Sequence, residues 1–161
     1  MGFQFAETMA GTVEWEAKRG TRHPFRFDIT AQADSTRRHF GDGRAVVRGL
    51  LHAPPIAEGV DLDGVIIIRP IGQRIIRYEL AFVGGDRRRY EMIGQKDIRW
   101  RSPLKTFTYL PAEILDDEHR RVATCELSFD LKDTWSFLRS FRPLGRGAGS
   151  PRPGGEPIAG S

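Results

Sequence analysis

The chain has 161 residues, 39% of them hydrophobic and 29% charged, with a formal net charge of +4. That length makes one domain with a real core and leaves no room for a second of similar size. No apolar run approaches the roughly 20 residues of a membrane-spanning helix. The first residues lack a basic stretch followed by an apolar one, so no secretory leader is expected. Met1-Gly2 would suit myristoylation only if a Ser or Thr stood where Ala6 stands. The lone Cys125 rules out an internal disulfide framework and fits a reducing, cytoplasmic setting.

The first segment alternates apolar and polar residues. Phe3, Phe5, Met9, Val13 and Trp15 take odd positions, with Gln4, Thr8, Thr12, Glu14 and Glu16 between them. Side chains of a strand point to opposite faces with period two, so strand one is expected over about Phe3 to Glu16. The basic turn Ala17-Lys18-Arg19-Gly20 closes it. Strand two follows from about Pro24 to Gln32, with Phe25, Phe27, Ile29 and Ala31 on one face, and Asp34 to Gly43 reads as a loop. Strand three, about Arg44 to Ala53, puts Ala45, Val47 and Leu51 on one side and stops at Pro54-Pro55, since proline cannot donate to a ladder.

Strand four, about Leu62 to Arg69, is almost wholly apolar. Pro70-Ile71-Gly72 turns into strand five, with Ile76, Tyr78, Leu80 and Phe82 inward. Gly84-Gly85-Asp86 makes a hairpin loop, and strand six carries Tyr90, Met92, Gly94 and Lys96 on one register. Strand seven is expected near Lys105 to Leu110. After the acidic turn Asp116-Asp117-Glu118, strand eight alternates through Ala123, Cys125, Leu127, Phe129 and Leu131. The period then changes: Asp133 or Thr134 caps a short helix striped by Phe137, Leu138 and Phe141. Residues 1–143 thus form the folded domain, and Leu144 to Ser161, rich in Gly, Pro, Ser and Arg, is a disordered tail. About eight sequential strands joined by short turns predict an all-β, antiparallel up-and-down barrel with a short C-terminal helix.

Several chemistries find no support. Gly41-Asp42-Gly43 and Gly145-Arg146-Gly147-Ala148-Gly149 lack the strand-to-helix setting of a dinucleotide fingerprint, so no cofactor is expected. His23, His39, His52 and His119 are scattered without ligand spacing, and Asp61-Leu62-Asp63-Gly64 runs into a strand, so no metal is expected. Cys125 shares the register of Leu127 and Phe129 and reads as a small buried hydrophobe. The paired arginines fall at turns, while the aromatics keep to the inward register, unlike the interleaved surface of a nucleic-acid binder.

Glu7 in strand one and Lys96 in strand six do break the pattern, as formal charges in an inward register. Burying either alone would cost several kcal/mol, so each needs a partner or solvent at a barrel end. They form a structural ion pair or rim positions. Alternatively, Glu7, Tyr78, Tyr90, Met92 and Lys96 line a mostly apolar pocket with polar anchors, as a lipid-binding site would. A third possibility makes Glu7 and Lys96 proton-transfer groups of a small isomerase- or cyclase-type enzyme. Strands three to five are also apolar on the other face, at Val46, Leu50, Val65, Ile67 and Ile75. Soluble monomers rarely leave such a patch bare, so a homodimer or partner contact is expected there, unless the Asp34–Gly43 loop or the terminal helix covers it.

Residues Phe5-Ala6-Glu7-Thr8-Met9-Ala10-Gly11 resemble the Phe-Thr-Glu-Thr-Met-Arg-Gly opening of a β domain that accompanies cholesterol-oxidase-like GMC (glucose-methanol-choline) oxidoreductases in bacterial multidomain proteins. Gly64, Tyr78-Glu79-Leu80-Ala81-Phe82 and Tyr90-Glu91-Met92-Ile93-Gly94-Gln95-Lys96 continue the likeness through Phe141, while Ala10 departs from the arginine after Met. The resemblance implies an accessory domain beside lipid- or sterol-oxidising enzymes, with such an oxidoreductase as partner and no flavin chemistry of its own. The leading expectation is therefore a non-catalytic barrel that binds an apolar, lipid- or sterol-like ligand or docks on such an enzyme. A structural dimerisation module remains the other alternative.

Overall fold

The computed structural model describes residues 2–33, 43–69, 73–97, 108–129 and 142–144. Eight antiparallel strands follow one another in space as in sequence: β1 (Gly2–Trp15), β2 (Arg22–Ala33), β3 (Arg44–Ala53), β4 (Ala57–Arg69), β5 (Ile75–Val83), β6 (Arg89–Asp97), β7 (Tyr109–Leu115) and β8 (Arg121–Phe129). β8 returns to β1, pairing Phe129 with Met9 and Ala123 with Trp15, and this ladder closes the sheet into a barrel. A ninth strand, β9 (Arg142–Leu144), lies along the start of β1 at Gly2–Gln4. Among the described residues helical structure is confined to a 3₁₀ turn at Glu16–Lys18 and the single residue Thr108. None of their helices is long and apolar enough to cross a membrane.

Alternation decides the inside. Met9, Val13, Phe25, Phe27, Leu51, Leu62, Leu80, Met92, Leu110, Ile114 and Leu127 are fully buried and form one continuous core. Glycine replaces a bulky inward residue where neighbouring backbones come closest. A Cβ on Gly11 would run into the Glu126 carbonyl across the closing seam, and one on Gly64 into the Glu79 carbonyl. Such positions let strands bend sharply enough for the sheet to close.

Four expectations need correction. β4 begins at Ala57 rather than near Leu62, because Gly59 takes a positive φ of 63° that carries the strand through the acidic stretch. β7 begins at Tyr109 and runs on to Leu115, where a strand from Lys105 to Leu110 was expected. Pro111 looks like a stop, yet it sits on the exposed face while Leu110, Ala112 and Ile114 point inward. The tail is expected from Leu144, but Leu144 belongs to β9, whose pairing to β1 overrides the breaker signal of Pro143. Ile67, expected on an exposed face, is only 7% exposed, flanked in register by Arg44 and Arg77. The helix expected at Asp133 to Phe141 and the tail beyond Leu144 lie outside the described residues.

The two ends of the barrel differ. At one end sit the tight turns: 16–21, 54–56, 84–88 and 116–120. From the other leave the connections 34–43, 70–74 and 98–108, and the chain beyond β8. The second end is called the open end below.

Candidate functional site

Glu7 lies on β1 between Phe5 and Met9 in the inward register, and Tyr78 lies on β5. In the ring order these strands are opposite, with three strands between them on either side. Lys96 is near the end of β6, where it pairs with Ile76, while Tyr78 pairs with Gly94. Tyr78 and Lys96 are thus diagonal neighbours on one wall, and the missing side chain at Gly94 leaves room between them.

The three meet in the interior. The Tyr78 hydroxyl donates to the Glu7 carboxylate, 3.1 Å from Oε1 and 3.0 Å from Oε2. Lys96 Nζ lies 3.3 Å from Glu7 Oε1 and 5.1 Å from the centre of the Tyr78 ring, within cation–π range. Glu7 is 7% exposed, Lys96 4% and Tyr78 2%. Burial, then the negative charge of Glu7 and the hydrogen bond to it, hold the Tyr78 phenol well above its ordinary pKa. It therefore stays a proton-bearing donor at any physiological pH. Lys96 and Glu7 meet at salt-bridge distance, as a buried pair of opposite charges must if neither is to stand alone.

The other two expected site residues lie elsewhere. Tyr90 is at the turn end: its hydroxyl donates to Asp86 in the β5–β6 turn and its ring stacks on Phe82 at 5.4 Å. Met92 pairs with Leu80 and is sealed in the core. Both share the inward register with Lys96, but register gives the face and not the height along the barrel. Spacing carried the missing signal. Tyr90 precedes Lys96 by six residues, about 20 Å of strand.

Cys125 is buried at 2% exposure, and burial pushes its thiol up to about 12, so it is an inert core group. No cluster of three or more metal-ligating side chains occurs among the described residues. A groove of about 430 Å³ crosses the outer wall of β6, β7, β8 and β1, lined by Thr12, Glu14, Gln95, Tyr109 and Glu113 among others. It lies on the other side of the sheet from the Lys96 side chain.

Fold and site together define a closed eight-stranded antiparallel barrel with a buried carboxylate–phenol–ammonium cluster spanning its interior. No family model, curated protein or solved structure matches the chain.

Proposed function

We propose that the barrel binds a small apolar molecule at its open end, with Glu7, Tyr78 and Lys96 as the polar anchors of an otherwise apolar wall. The observation that supports this reading is the cluster itself. Three polar side chains from opposite walls converge where an all-apolar core would serve stability equally well or better. Apolar sites with a few convergent polar groups are the usual composition of a small-molecule pocket.

The charges in the cluster point to the kind of ligand. Glu7 and Lys96 already balance each other, so a ligand carboxylate brought beside them would add an uncompensated buried charge. A neutral alcohol or ketone adds none, and its oxygen can exchange hydrogen bonds with the cluster. A sterol-like or long-chain alcohol is therefore preferred to a fatty acid. This agrees with the lipid- or sterol-linked setting that the sequence resemblance implies, and it requires no chemistry from the barrel.

Displacement of a fluorescent apolar probe from the purified protein tests the reading. A sterol and a long-chain alcohol should compete, a fatty acid of equal length should compete at least about tenfold more weakly, and folded Glu7→Gln protein, in which Lys96 is left to pair with a ligand carboxylate, should lose the discrimination. Absence of competition by any neutral lipid would overturn it.

A further inference from the structure

The barrel wall is stitched unevenly. β6 pairs with β5 as far as Ile75–Asp97, and β7 pairs with β8 from Tyr109–Ser128 onward. Between β6 and β7 the ladder spans only Glu91–Leu115 to Gly94–Ala112, although both strands continue toward the open end. Kept in register, the next pair would set Gln95 opposite Pro111, and proline has no N–H to give to a ladder. Residues 95–97 of β6 and 109–111 of β7 therefore flank a seam that their mutual ladder does not cross.

The seam lies between a groove and the buried cluster. On its outer side is the groove of about 430 Å³, lined there by Gln95, Tyr109 and Pro111 and reaching Gly94 and Ala112. On its inner side is Lys96, so one anchor of the cluster is carried by the seam strand itself. A single side chain shuts the passage next to the last pair. A Cβ on Gly94 would meet Leu110 Cδ1 at 2.9 Å and Cγ at 3.1 Å, so Leu110 lies against bare backbone there. Leu110 is fully buried.

We propose that the β6–β7 seam is the entrance through which a neutral apolar ligand reaches the cluster, with Leu110 as its gate. The proposal rests on the ligand-binding reading above and adds the route. On either side of the seam the strands are held by ladders about 4.8 Å apart, which leave no gap. Passage there would break backbone hydrogen bonds, whereas at the seam none of the β6–β7 ladder is lost. Local opening draws on the segments with the fewest such bonds. Outside, the half-exposed ring of Tyr109 beside Pro111 gives an apolar molecule a surface on which to shed water first. Once Leu110 swings off Gly94, the next polar groups along the wall are Lys96 and Tyr78.

Stopped-flow uptake of a fluorescent sterol by the full chain tests the route. In Gln95→Cys/Pro111→Cys protein a short bifunctional thiol reagent bridges the seam on its exposed face, while the buried Cys125 thiol stays unreactive. Bridging should slow association and dissociation alike, at least about tenfold, and leave the equilibrium affinity within about twofold, because an entrance is crossed in both directions. Leu110→Ala should speed both. The same reagent on Arg48→Cys/Asp63→Cys, opposite each other in the continuous β3–β4 ladder, should leave the rates unchanged. Binding at wild-type rates in the bridged protein would overturn the entrance and leave the binding reading standing. Equal slowing in the β3–β4 control would also overturn it. No uptake by the wild type even at equilibrium would remove the binding reading, and the entrance with it.

Discussion

The turn end and the open end of the barrel handle charge in opposite ways. At the turn end carboxylates take partners within or beside the same turn, even where the carboxylate is buried, as Asp116 is at 5% exposure. Asp116 accepts from the backbone N–H groups of Glu118 and Arg120, and Arg88 reaches Asp117 at 2.7 Å, tying the β7–β8 turn to the β5–β6 turn. Toward the open end Glu7 and Lys96 are withdrawn from solvent and held by partners from opposite walls. Short-range partners suffice to fix a turn, whereas the Glu7 cluster exists only once the strands have closed into a ring. One end spends its polar groups on local conformation, and the other spends them on joining opposite walls.

The largest effect should come from splitting the buried pair. Lys96→Met leaves the buried Glu7 carboxylate without its cation and should cost about 3–5 kcal/mol in urea unfolding. Glu7→Gln added to Lys96→Met should recover most of that, since Gln still accepts from Tyr78. A single-variant loss under about 1 kcal/mol would mean that solvent reaches the pair and that the two ends do not differ. Next in size, Tyr78→Phe removes a hydrogen bond to a charged acceptor and should cost about 1.5–3 kcal/mol by the same measurement.

A smaller and pH-dependent effect belongs to the turn end. The backbone N–H of Arg120, aided by the Arg120 side chain and the N–H of Glu118, holds the Asp116 carboxyl below its ordinary range. Arg88 does the same for Asp117. A carboxylate depressed on folding contributes fully above its unfolded pKa of about 4 and loses that contribution as pH falls through its folded value. Thermal melts of Asp116→Asn between about pH 5 and pH 2 should therefore fall less steeply than those of the wild type. Parallel curves would show that the turn carboxylates do not govern acid stability. Smallest of all, Glu126→Gln removes an exposed pair 3.6 Å from Arg22 and should change stability by less than about 0.5 kcal/mol.

The fold was largely legible in the sequence wherever one face was wet. β1, β2 and β8 alternate so regularly that inward and outward residues could be assigned one by one. β7 was displaced because Pro111 carries a breaker signal that an outward strand position tolerates. β9 escaped because three residues with a proline in the middle have no pattern, only a partner. At the site, Glu7 and Lys96 stood out as charges in an apolar register, and they meet. That Tyr78 rather than Tyr90 joins them was not readable, since height along the barrel is the accumulated result of the ladders between β1 and β5. Likewise the patch on β3–β5 was visible as apolar residues, but the burial of Ile67, flanked in register by Arg44 and Arg77, depends on which strands lie beside it.

The closing ladder has a consequence for how the chain reaches this state. Met9 meets Phe129, so the first strand made waits for almost the last before its second edge is covered. Until then the sheet carries two open edges, and the loop-closure entropy of that long separation must be met before the seam returns any hydrogen bonds. Seam formation is thus the slow, late event in folding. A chain cut within β8 would hold β1 as a bare edge, ready to accept a strand from a neighbouring molecule.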